Sequence, residues 1–224
     1  MKQKIFFIIL LALLSAGSAQ AQQHALIRLG GGVTSLYGRS TNVIGAFNIG
    51  MGYEYEFNQK WSVTPSLLYF SKGWKEKDQR VPARNDKGEL IYDPETGQQL
   101  FGVKSIKAHA NYLQLPITAN YYIHLTSPHY ISLSAGPYVA IGLGGKTETY
   151  GDTDRKGAER VYYEQDTFGH DRARRLDAGL TLAVGYEYDR HINLGLNADL
   201  GLLKVNKTTS GRNATYYLSF MYRL

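Results

Sequence analysis

Apolar and polar residues alternate along most of the chain. In LDAGLTLAVGYEY, Leu176, Ala178, Leu180, Leu182, Val184, Tyr186 and Tyr188 hold the even positions, and Asp177, Gly179, Thr181, Ala183, Gly185 and Glu187 lie between them. NLGLNADLGLL sets Leu194, Leu196, Ala198, Leu200 and Leu202 against Asn193, Gly195, Asn197, Asp199 and Gly201. ISLSAGPYVAIGLG and ATYYLSFMYRL repeat the pattern. A period of two is the mark of a strand with two unlike faces, and helical spacing fails on the same stretches. The pattern predicts eight strands at about 25–37, 43–57, 61–74, 108–123, 130–144, 174–189, 192–205 and 213–224.

The connections alternate as well. NQK, HLTSPH and RH are short, whereas GRST, the charged stretches Lys75–Lys107 and Lys146–Ala173, and NKTTSGR are longer or turn-rich. Short turns at one end and long polar loops at the other describe an all-β, eight-stranded antiparallel up-and-down transmembrane barrel with its termini on the periplasmic side. Within the first long loop, ELIY-DPETG-QQLFGV predicts a hairpin rising above the membrane.

Such a barrel turns its apolar face to lipid and its small and polar face inward. The strands, about 12–15 residues, exceed the 9–11 of a tilted crossing. Aromatic residues gather near strand ends. Tyr53, Tyr55, Phe57, Trp61, Tyr121, Tyr186, Tyr188, Phe220 and Tyr222 are expected at the periplasmic boundary, and Tyr37, Tyr69 and Trp74 at the outer one. The same register sends Arg28, Glu54, Glu56, Lys72, Asp177, Glu187, Asp199 and Arg223 inward. Buried charges are tolerated when paired, so these eight are expected to form a structural polar plug.

Composition narrows the picture. Lys2 and Lys4, the apolar run Ile5–Ala16 and Ala19-Gln20-Ala21 form a secretory leader over residues 1–21, leaving 22–224 as one domain. Without those two lysines the formal net charge falls from +6 to +4. That modest, scattered charge argues against nucleic acid as a partner. The chain has no cysteine, which excludes disulfides, thiol chemistry and cysteine-based metal sites.

YLQLPITANYY, SAGPYVAIGL, LDAGLTLAVGYEY and the closing YYLSFMYRL, taken in order, resemble the PorT-like outer-membrane β-barrel family of Bacteroidetes. The resemblance implies an integral outer-membrane protein, but no chemistry; some relatives support protein secretion and gliding. The last residue, Leu224, departs from the aromatic usual for recognition by the barrel-insertion machinery, and Tyr222 is the nearest aromatic to it.

Candidate chemistry is sparse. DTDRKGA opens like a calcium loop, with Asp152, Asp154 and Gly157, yet Lys156 and Tyr163 occupy positions that need ligands, so no metal is expected. Arg172, Arg174 and Arg175, with Lys72 and Lys75, are expected beside lipopolysaccharide phosphates. Ser71, His109 and His170 near the outer end raise a rim hydrolase acting on lipid A, but no spacing ties them together. The expected role is therefore structural or interactive, through the long outer loops toward a protein partner, with no catalytic residues and no cofactor. A lipid A-modifying enzyme, a small pore and a soluble lipocalin-like carrier are the alternatives.

Overall fold

The computed structural model describes residues 22–83, 89–153, 161–170, 172–206 and 210–224. The leader predicted for residues 1–21 lies outside them, as do Asp154 and Gly157 of the calcium-like loop. The strands are β1 (Gln22–Tyr37), β2 (Thr41–Asn42), β3 (Ile44–Glu56), β4 (Trp61–Glu76), β5 (Gln79–Pro82), β6 (Phe101–Thr126), β7 (His129–Gly144), β8 (Lys146–Thr153), β9 (Val161–Asp166), β10 (Leu176–Tyr188), β11 (Ile192–Lys204) and β12 (Arg212–Arg223). Eight of them close an antiparallel ring in the order β1-β3-β4-β6-β7-β10-β11-β12, with β12 pairing back to β1.

The register fixes the size of the ring. Paired residues lead from Trp61 to Tyr121, Leu133, Val184, Leu196, Leu218, Gly31 and Phe47. They return to β4 at Ser71, a shear of ten residues (71 − 61 = 10). With eight strands, that shear tilts each strand by about 40° to the axis and leaves a lumen only as wide as its own side chains.

The eight predicted crossings are present, but two features extend beyond them. Alternation continues past the membrane: β6 begins at Phe101, not near Ala108, and runs for 26 residues. The second charged stretch, expected as a loop, instead forms the hairpin β8–β9. β5 and β8 pair with opposite edges of the same β6 segment, so β5, β6, β8 and β9 form a ribbon above the barrel. At its root Lys146 pairs with Asp166 at 3.0 Å and Glu164 at 3.4 Å. The hydrogen bond from Lys146 holds the Asp166 carboxyl below its ordinary range. The hairpin predicted in the first long loop is a single bridge, Tyr92 to Gln99, around a turn closed by Gly97 at φ +65°.

Alternation sorts the side chains as a membrane requires. Leu180, Leu182, Val184, Leu194, Leu196 and Leu218 all stand exposed on the outside. Their inward neighbours Thr181, Asn193, Asn197, Asp199 and Ser219 are buried. The periplasmic aromatics pack against one another at the rim, Tyr53 edge-on to Tyr55 at 4.9 Å and Trp61 tilted on Tyr121 at 4.8 Å between ring centres. Trp74 corrects the expected outer girdle. It has the inward parity of Phe70 and Lys72, is only 8% exposed, and packs inside the barrel mouth.

Candidate functional site

The lumen is filled in layers. At the periplasmic end the Arg223 guanidinium lies between two carboxylates. Its Nε donates to Glu54, Nη1 and Nη2 donate to Glu187 at 2.6 and 3.0 Å, and Nη2 also donates to the Tyr122 hydroxyl at 2.8 Å. Ser62 and Tyr122 hydroxyls donate to Glu54 as well. Each carboxylate thus gains several donors in a space that excludes most water, which is what makes buried charge tolerable. Glu56 stands at the mouth, where Arg190 closes a salt bridge to it and approaches Glu187 to 3.8 Å.

Arg190 was not among the expected residues. It is the second residue of the turn joining β10 to β11, and both Asp189 (φ 50°) and Arg190 (φ 57°) adopt the left-handed conformation. Three residues, Asp189 to His191, link the paired Tyr188 and Ile192, and two successive left-handed residues in a hairpin turn are ordinarily Asn-Gly. Here the strained turn aims the Arg190 side chain back into the lumen, over the rings of Tyr122 (4.3 Å) and Tyr130 (5.5 Å). The sequence signal available was an Asp-Arg pair where glycine is usual.

The middle layer is amide and hydroxyl. Arg28 donates to Asn197, whose amide donates to Ser219 at 2.8 Å; Asn193 donates to Ser132 at 2.8 Å, and Asn120 to Thr64 at 2.8 Å. These groups surround a cavity of about 30 Å³, room for one or two water molecules. Reading charges alone misses this layer, because Asn and Ser alternate with leucines without standing out.

Above it, Lys72 is fully buried. Its ammonium donates to Gln114 at 2.6 Å, lies 3.9 Å from Asp177, and sits 4.7 Å from the ring centres of both Phe70 and Tyr138. Gln114 bridges Lys72 to Asp199, donating to that carboxylate at 2.7 Å, and Thr181 donates to the other oxygen of Asp199 at 2.8 Å. Lys72 is thereby corrected as a lipopolysaccharide contact: its even parity in β4 turns it away from lipid, and it is 1% exposed.

The outer mouth, above the polar layers, is apolar. Leu36, Trp74, Tyr112, Tyr138, Phe168 and Val205 form its main cluster. Phe168 comes from the chain between β9 and β10 and tucks inward against Gly142, where an added Cβ would stand 2.5 Å from the ring. Its ring meets Tyr112 edge-on at 5.4 Å, and Arg175 lies 5.4 Å above it. Replacing Phe168 with Ala should unseat this segment, and faster trypsin cleavage after Arg172, Arg174 or Arg175 in intact cells would report it.

The remaining expected residues divide by position. Arg175 donates to the carbonyls of Gly142 (2.8 Å) and Leu143 (3.2 Å), immediately above the lipid-facing Leu176. Arg172 and Arg174 are exposed beside it; Lys75 of β4 pairs with Asp78 at 3.4 Å and is the register partner of Lys107 on the adjacent β6. Ser71 and His109 both take the outward parity, opposite Asn111 and Gly73, and no hydrogen bond joins the two. His124, His129 and His191 lie at the other end of the strands, at the periplasmic turns.

A closed eight-stranded ring, apolar outside and with ion pairs inside, defines an integral β-barrel protein of the bacterial outer membrane. The chain belongs to the outer membrane protein beta-barrel domain family, whose model matches residues 20–206. Among solved structures it is similar to Ail, the attachment invasion locus protein of Yersinia pestis, in complex with the heparin analogue sucrose octasulfate (11% identity, 92% of this chain and 99% of that chain, TM-score 0.39). It is similar too to Neisserial surface protein A (12%, 92% and 99%, 0.41). A third is the N-terminal barrel domain of Pseudomonas aeruginosa OprF (9%, 92% and 100%, 0.37). No curated protein sequence matches the chain.

Proposed function

We propose that this is a PorT-like barrel of a Gram-negative, Bacteroidetes-like bacterium, exported by the leader at residues 1–21, whose lumen is scaffold and whose extracellular ribbon is the working surface. The buried charges serve one another, and the role is interaction without catalysis, accessory to protein secretion. The observation that carries the reading is β6, whose first six residues, Phe101–Ile106, project beyond its last pair with the wall strand β4 and pair with β5 and β8. A crossing strand needs no such extension. On the ribbon's outer face Phe101 and Val103 are exposed, with Arg80 4.4 Å above the Phe101 ring. Aromatic and arginine side chains together are the usual anchors of a protein interface.

The test is crosslinking and pull-down from intact outer membrane, comparing the native chain with one whose ribbon is replaced by short turns. The captured partner should disappear while the barrel still inserts. Equal capture by both forms would defeat the proposal.

Arg172, Arg174 and Arg175, with Lys75, are proposed to hold lipopolysaccharide phosphates. Arg175 is already oriented by two carbonyls at the top of the apolar band, and guanidinium pairs with phosphate through two parallel bonds. Changing Arg174 and Arg175 to Glu should strip co-purifying lipid A from the detergent-extracted protein, as seen by mass spectrometry. Unchanged lipid A would remove these residues from the role.

A further inference from the structure

The periplasmic end holds a cavity of about 740 Å³ that the layers above do not fill. This is within the size range of small-ligand pockets. Its walls come from three places: the β3–β4 turn with Glu56 and Lys60, the inward side of β6 and β7 with Tyr122, His124 and Tyr130, and Arg190 from the β10–β11 turn.

We infer that this vestibule binds a carboxylate-bearing peptide segment of a periplasmic polypeptide. Charge comes first. Arg190 is already engaged, in a salt bridge to Glu56 and 3.8 Å from Glu187, so the free cation of the pocket is Lys60. Lys60 is exposed and has no ion pair among the described residues, so the rim of the pocket carries an unpaired cation.

The walls are built before any ligand arrives. The Asn58 side chain accepts the Lys60 amide at 2.9 Å and the Trp61 amide at 3.0 Å, which fixes the turn bearing Lys60. Arg190 donates to the Gln59 carbonyl at 3.2 Å and so ties the two turns together. Backbone strain of the kind seen at Asp189 and Arg190 persists where surrounding contacts enforce it, and such sites concentrate at binding regions. The aromatic surface is fixed as well: His124 meets Tyr130 edge-on at 5.0 Å, and Arg190 stacks on Tyr122. A cationic rim over aromatic walls suits a carboxylate next to an apolar side chain.

Access decides between a peptide and a lipid. Glu56, Tyr122, His124 and Tyr130 have the inward parity of their strands, so the cavity opens along the barrel axis to the aqueous periplasm. A phospholipid beside the barrel meets only the outward set, Trp61, Tyr121, Leu125 and Leu133. The site is independent of the ribbon, at the other end of the strands.

The experiment uses the full barrel in nanodiscs and three dye-labelled peptides read by fluorescence polarisation: Ala-Ala-Phe with a free C-terminal carboxylate, the same peptide amidated, and Ala-Glu-Phe amidated. The first should bind saturably, and the amidated form should bind about tenfold or more weakly, as expected for loss of a charge-assisted hydrogen bond. Binding of the third as well assigns the site to acidic side chains in addition to chain ends, and still supports it. Lys60→Gln should weaken binding about tenfold, while Lys77→Gln at the opposite end leaves it unchanged. Lys60 is exposed, so its replacement leaves the fold intact. Absence of saturable binding by either carboxylate peptide, equal binding of acid and amide, or indifference to Lys60→Gln would overturn the inference.

Discussion

Replacing Arg223 with Met should destabilise the barrel by about 3–5 kcal/mol, the cost of breaking a buried ion pair. The side chain is 1% exposed and serves Glu54, Glu187 and Tyr122 together. Met keeps most of the volume and leaves the backbone pairing of β12 to β1 and β11 untouched. The loss is therefore electrostatic: two carboxylates remain in the lumen with only Arg190, 3.8 Å from Glu187, as a partial substitute. The triple variant Glu54→Gln, Glu187→Gln, Arg223→Met should recover most of the stability, because a buried triad can be exchanged for neutral groups at little cost. Urea unfolding in detergent or liposomes, followed by tryptophan fluorescence and the heat-modifiable shift on gels, measures both. A loss below about 1 kcal/mol for the single variant would place this layer in contact with bulk water, where exposed pairs contribute that little.

Leu182→Arg should be the most damaging single change on the outer wall, costing about 2–4 kcal/mol. Leu182 is the middle residue of β10 and stands 45% exposed. On a protein in water, such an exposed leucine accepts arginine within about ±0.5 kcal/mol. In hydrocarbon the charge must be dragged toward an interface, and the cost depends on depth. Leu176→Arg, at the outer end of the same strand next to Arg175, should cost only about 0–1 kcal/mol. The depth dependence is the decisive reading: equal costs at the two positions would contradict a lipid-facing wall.

The number of crossing strands, register parity, up-and-down order and the identity of the inner and outer faces follow from the chain alone. A side chain's face depends only on whether its position is odd or even once one member of the strand is placed, and the alternation from Leu176 to Tyr188 leaves no choice. Even Trp74 obeys that rule: its parity matches that of Lys72, and it faces inward although it is an aromatic near a strand end. Tertiary structure decided what parity cannot reach. The shear of ten sets which inward residues share a level, and so brings Arg223 of the last strand to Glu54 of an early one, 169 positions away. It also made the outer mouth apolar, since Phe168 lies outside any alternating segment and finds its seat only because β6 and β7 place Tyr112 and Gly142 together. Arg190 belongs to the same class. A turn residue's direction is set by dihedral angles that its neighbours in space enforce, and those neighbours are distant in sequence.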